Sequence, residues 1–182
     1  DGLTIGTLAK EVGMSKSGLF AHFNSKDNLQ LMVLERAAAL FSQKVLKPAF
    51  QAERGEARVR AVFENWVCYL NDDSLPGGSI FVAAGFELDD RPGLLRDYVQ
   101  KAQRDLLSNL ERTANMAIER GHFHSSTDAA QFAWSMYAFV LGYHHSKRML
   151  EDPHAEDRLR VAFDQLMEFA KLGNQMKQRR RA

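Results

Sequence analysis

The residues near the start of the chain that could do chemistry are Thr4, Ser15, Lys16, Ser17, His22 and Lys26, and theirs is the chemistry of recognition. Hydroxyl, ammonium and imidazole groups bond to phosphate oxygens and base edges, and no motif here sets a nucleophile beside a general base. Apolar neighbours turn inward and cap residues fix the helix starts, so Ser15, Lys16, Ser17 and His22 are left to face a major groove. On the same grounds Thr4, Phe20 and Lys26 lie by the phosphates. Phosphate contacts position a protein on duplex DNA, and base contacts specify the sequence.

The elements that must position these groups are two short helices crossing steeply. Such a pair needs a small residue at the contact and a residue tolerant of positive φ at the turn; Ala9 and Gly13 supply them. Leu8, Val12, Met14, Leu19 and Phe23 fall on the inward faces, while Lys10, Glu11, Lys16, Ser17 and His22 stay outside. Thr4, Ser15 and Ser25 are good N-caps, and Leu3 with Leu8 occupies the two positions of a hydrophobic staple. The stretch reads as a helix-turn-helix placed to enter DNA. A helical hairpin that merely packs would share the Ala9 and Gly13 spacing, and Lys16, Ser17 and His22 would then form a solvated face.

The run Gly13-Met14-Ser15-Lys16-Ser17-Gly18-Leu19-Phe20-Ala21-His22-Phe23, followed by Ser25-Lys26 and Leu29, resembles the DNA-binding segment of the tetracycline-repressor (TetR) family of bacterial transcription regulators. There the family has a glycine, a Ser-x-Gly, a Leu-Tyr pair, a Phe and a lysine opening the next helix. Phe20 stands where the family usually has a tyrosine whose hydroxyl touches a phosphate, which removes one contact. The resemblance also places the family's first helix ahead of Asp1, so that the chain as given is expected to lack its own beginning. The stretch Gly77-Gly78-Ser79-Ile80-Phe81 and the Asp89-Asp90-Arg91-Pro92 element are similar to the regulatory half of some members. The resemblance implies a dimer whose subunits pair through their last two helices.

Composition narrows the classes. With 182 residues, 45% hydrophobic and 26% charged, the chain is an ordinary globular one with a single substantial core to bury. A net charge of +1 gives no global pull toward nucleic acid, so DNA binding has to come from a local basic surface and helix N-termini. The sequence has no long apolar run and no signal segment, so a cytoplasmic protein without a membrane span is expected. The single cysteine, Cys68, sits between Val67 and Tyr69 and reads as a buried thiol. His122, His124, His144, His145 and His154 invite a metal reading, but adjacent histidines point about 100° apart on a helix and no Cys or Glu completes a site. No metal, no cofactor and no catalytic residue are expected, since phosphate loops, nucleophile elbows and zinc-protease motifs are missing.

The chain is expected to be all-α, with a DNA-binding domain and connecting helix over residues 1–47 and a ligand-binding and dimerisation domain over 48–182. Leu29, Met32, Val33, Ala37, Leu40, Phe41 and Val45 keep helical spacing from Lys26 until Pro48 stops the helix. Val59, Val62, Phe63, Trp66, Val67 and Leu70 mark the next helix, and a short one follows from about Ser79. A long helix then opens after Pro92 and ends at Gly121, a left-handed C-cap. The helix from about Asp128 to Leu150 is apolar almost all round and must be covered on every side; the last spans about Ala155 to Leu172.

Trp66, Tyr69, Phe81, Phe86, Tyr98, Phe132 and Met136 exceed what a minimal helical core needs and are expected to line a small-molecule site, although plain packing would use the same residues. Tyr137, Val140, Leu159, Phe163, Leu166 and Ala170 are expected at a homodimer seam built as a four-helix bundle. The function these expectations make together is a repressor released from a pseudo-palindromic double-stranded operator by an unidentified small-molecule effector. The alternative is a helical adaptor that binds another protein, which would leave the N-terminal motif idle.

Overall fold

The computed structural model describes residues 13, 15, 17, 18, 23–72 and 78–172, and every regular element among them is helical, as the sequence requires. In order these are α1 (Lys26–Phe41), a π-helical segment (Ser42–Leu46), α2 (Lys47–Gln51), α3 (Glu56–Leu70), α4 (Ile80–Leu88), α5 (Leu94–Glu119), α6 (Ala129–Arg148) and α7 (Ala155–Leu172).

Local chemistry sets the helix ends. Ser25 is extended and its Oγ accepts from the Asn28 N–H at 3.1 Å, capping α1 as the sequence suggests. Asp128 caps α6 in the same way, accepting from the Gln131 N–H at 3.0 Å. Gly121 closes α5 with φ of 72°. Gly55 begins α3 but has no side chain to cap it, and the acceptor comes from across the fold: the Glu56 N–H donates to His122 Nδ1 at 3.1 Å.

Helices α5, α6 and α7 pack in sequence, α3 lies against α2 and α5, and α1 rests on α4 and α5. Phe63 of α3 stacks on Phe163 of α7 with ring centroids 3.7 Å apart, and Phe123 packs on Phe132 beneath them. Over this core a polar seam joins α3 to α7: Arg60 bridges Glu56 and Asp164, Lys171 reaches Glu56, and Arg160 spans Glu64 and Glu156. Burial alone would raise the Glu56 carboxyl, but hydrogen bonds from Lys171 and Arg60 outweigh it and leave the group below its ordinary value. The near-continuous apolar surface of α6 is explained by its place between α5 and α7, with Val140 and Met136 buried there.

Three expectations need correction. The helical path does not stop at Pro48; it widens into the π segment and continues to Gln51, with Pro48 in the first turn of α2. A proline ring inside a regular helix collides with the carbonyl four residues back, here Lys44, and the wider turn relieves that clash. The inward face of α1 is Leu29 and Leu34, and Met32 and Val33 are exposed. Cys68 is exposed as well: Val67 and Tyr69 are buried, and a helix turns Cys68 about 100° from each of them onto the outer face.

Candidate reading head and ligand cavity

At the N-terminal end the structure places three of the expected DNA-facing residues. Gly13 has φ of 68°, the left-handed conformation that the expected turn needs. Ser15 Oγ accepts from the Gly18 N–H at 3.0 Å, so it caps the helix that follows, and it lies 3.2 Å from Ser17 Oγ; both serines are exposed. Lys26 is exposed at the first position of α1. Thr4, Lys16, Phe20 and His22, together with Leu3, Leu8, Ala9, Val12, Met14 and Leu19, lie outside the described residues.

A cavity of about 410 Å³, open to solvent on one side, is lined by residues of α1, the π segment, α3, α4, α5 and α6. One stripe of α5 supplies Tyr98, Ala102, Leu106 and Asn109, spaced three and four residues apart. α3 contributes Trp66 and Tyr69, the start of α4 contributes Phe81, and α6 contributes Tyr137. Phe41 sits edge-on to both Trp66 at 5.6 Å and Tyr69 at 5.3 Å, and Trp66 tilts toward Tyr137 at 6.4 Å. Gln103 Nε2 donates to the Phe81 carbonyl at 3.1 Å, tying the first turn of α4 to the wall. Burial pushes the hydroxyls of Tyr69, Tyr98 and Tyr137 up from their ordinary value of 10.0, so all three stay protonated near neutrality.

Of the aromatic residues expected around a ligand, Trp66, Tyr69, Phe81 and Tyr98 meet at this cavity. Phe86 does not: five residues beyond Phe81 it points to the opposite side of α4 and is 69% exposed. Phe132 and Met136 are buried in the main core rather than at the cavity. The contributions of Ala38 and Phe41 from α1 and of Ser42 and Leu46 from the π segment were not legible in the sequence, where Pro48 reads as a helix stop and nothing signals a π turn.

The residues expected at a subunit seam are also redistributed. Val140, Leu159, Phe163 and Ala170 are buried in the chain's own core, Leu166 packs against that core, and Tyr137 faces the cavity. The most apolar stripe of a helix is claimed first by its own domain. What faces outward on α6 and α7 is Trp134, Val161, Phe169 and Leu172, between 48% and 61% exposed.

His122 serves as the cap described above, His124 Nδ1 meets Ser126 Oγ at 2.8 Å, and His154 is exposed near Asp157. Among the described residues no cluster of His, Cys, Asp or Glu has the make-up of a metal site. No described helix is long and apolar enough to cross a membrane.

An N-terminal turn at Gly13 followed by helix starts capped by Ser15 and Ser25, with α1 leading on to a helical domain that holds an aromatic cavity, is consistent with the build of a DNA-binding regulator. The profile described as "Bacterial regulatory proteins, tetR family" matches residues 1–31, and "Tetracyclin repressor-like, C-terminal domain" matches residues 55–163. The chain belongs to the TetR family and is a DNA-binding transcription regulator. Solved structures share the fold. A TetR transcriptional regulator from Chloroflexus aurantiacus superposes with a TM-score of 0.75 at 24% identity, over 92% of this chain and 83% of that one. A TetR-family regulator from Cytophaga hutchinsonii gives 0.78 at 19% identity, over 93% and 85%. AibR, solved with isovaleryl coenzyme A and operator DNA, gives 0.67 at 19% identity, over 89% and 88%. No curated protein matches the chain.

Proposed function

We propose that the chain is a repressor that binds a pseudo-palindromic operator as a homodimer and leaves it when a small molecule fills the cavity. The observation that carries this reading is the path of α1: it starts at Lys26 beside the reading head, and Ala38 and Phe41 near its far end line the cavity. A ligand that pushes on Phe41 or Ser42 acts on the one helix that carries the reading head. Its effect is a population shift between arrangements that differ in the spacing of the two heads, only one of which matches two successive major grooves. AibR, solved with isovaleryl coenzyme A and operator DNA, supports the presence of a small-molecule site and a DNA site in one such fold.

In this reading residues 1–47 form the reading head with its connecting helix, residues 48–182 form the sensing and dimerising domain, and the protein works in the cytoplasm, as a regulator of bacterial genes must. Ser15, Lys16, Ser17 and His22 face base edges, with Thr4, Phe20 and Lys26 by the phosphates. Two copies pair through the outward faces of α6 and α7, where Trp134, Val161, Phe169 and Leu172 leave apolar surface in water. Effector action uses binding alone, and no residue is assigned a catalytic role.

The test is selection of bound duplexes from a random pool, followed by a screen for compounds that release them. A pseudo-palindrome with half-sites about 34 Å apart or somewhat further is the expected product. Recovery of no preferred sequence would overturn the regulator reading in favour of an adaptor.

A further inference from the structure

We infer that the cavity selects an uncharged, flat aromatic molecule carrying hydrogen-bonding groups. The inference rests on the cavity being the effector site and adds the class of effector.

Three features of the wall argue for it. Its inner surface is aromatic, with Phe41, Trp66, Phe81 and Tyr137 presenting ring faces and edges that favour another ring over an aliphatic chain. Its polar groups are neutral: the hydroxyls of Tyr69 and Tyr137 and the amide of Asn109 make no side-chain hydrogen bond to another described residue, so each is available to a ligand. Finally, the only cation and the only carboxylate of the described lining are Lys101 and Asp105, which are bonded to each other at 2.6 Å. These two are 76% and 59% exposed, which puts them at the solvent edge. A charged group seated against the inner aromatic wall would therefore lose water there with no unpaired counter-charge in the described lining, a cost that disfavours it against a neutral group of the same shape. By the same argument a phosphorylated effector such as the acyl coenzyme A held by AibR finds no unpaired cation here.

The experiment is calorimetric titration of the full chain with matched probes of one shape: 2-naphthol, 2-naphthoate and 2-naphthylmethylammonium, at neutral pH. The expected result is that 2-naphthol binds and both ions bind at least about tenfold more weakly. Two variants locate the binding. Ala102→Trp fills the cavity and should abolish 2-naphthol binding. Asp105→Asn, an exposed change, frees Lys101 and should tighten 2-naphthoate several-fold relative to 2-naphthol. Either ion binding as tightly as 2-naphthol would overturn the neutral-ligand inference and leave the cavity as an effector site. Failure of 2-naphthol to bind, an affinity for it that survives Ala102→Trp, or an unaltered 2-naphthoate affinity in Asp105→Asn would overturn the inference, while the regulatory reading stands or falls separately on whether any compound releases the selected duplex.

Discussion

His122 does at the start of α3 what Gly55 cannot, offering Nδ1 to the Glu56 N–H, and Gly55 repays it by having no side chain. A Cβ at Gly55 would overlap the His122 ring, and its φ of 110° is strained for any L residue. Gly55→Ala should therefore cost about 1–3 kcal/mol for the backbone and about 1 kcal/mol for the hydrogen bond. A urea midpoint equal to that of the parent would contradict the capping role. His144 makes a different prediction. Its Nε2 is buried without a hydrogen-bond partner among the described residues, and burial first, then Arg148 and His145, holds its pKa below the ordinary 6.5. The folded chain then binds fewer protons than the unfolded one, so this contribution to stability is full above about pH 6.5 and is lost as pH falls toward the folded value. Melting temperatures taken between about pH 7.5 and 5.5 should fall more steeply for the parent than for His144→Gln; equal slopes would contradict the assignment. Single residues were the least legible part of the sequence. Cys68 and Tyr137 were misplaced because flanking apolar residues say that a helix is buried without saying which way one side chain points.

Among the elements, the π segment has the clearest consequence. The Lys47 N–H bonds to the Ser42 carbonyl, five residues back, and Asn65 Nδ2 donates to the Val45 carbonyl at 3.1 Å. Asn65 thus holds open a turn that Pro48 makes necessary, and the Ser42 and Leu46 of that turn line the cavity. Such widened turns recur at functional sites because small changes in register are cheap there. Asn65→Ala should lower stability by about 1 kcal/mol by leaving that carbonyl unpaired, and it should change the effector concentration that releases DNA. Unchanged release together with unchanged stability would show that the segment is only an accommodation of Pro48. Among the described residues the helix order and most boundaries were legible because caps such as Ser25 and Asp128 and the apolar periodicity of α3 are local signals, whereas α2 was not foreseen. The π register was not, since it follows from a proline clash and a partner twenty residues away.

For the whole molecule, the residues the sequence suggested for a homodimer seam lie in or against the chain's own core or at the cavity. Periodicity alone cannot separate a stripe used inside the chain from one left outside, and the proposed seam therefore rests on the outward residues of α6 and α7. The outward set lies on Trp134, Val161, Phe169 and Leu172, and burying each such side chain favours association by roughly 1.5–3 kcal/mol before association costs. Val161→Asp with Phe169→Asp changes two exposed positions, so the double variant should keep its helical signal while sedimenting as a monomer. A dimer of undiminished affinity would move the seam elsewhere. At the reading head, Lys26→Ala should weaken binding to every sequence and flatten the salt dependence by about one unit per head. An unaltered slope would remove Lys26 from the phosphate contacts. The proposed homodimer holds two reading heads at a fixed spacing on one operator. This arrangement is tested most directly by fluorescence anisotropy of the selected duplex against the same duplex with about five extra base pairs between its half-sites, which turns them to opposite faces of the helix. Two chains should occupy the parent duplex, and high-affinity binding should be lost on the lengthened one; equal affinity for both would contradict the paired-head arrangement.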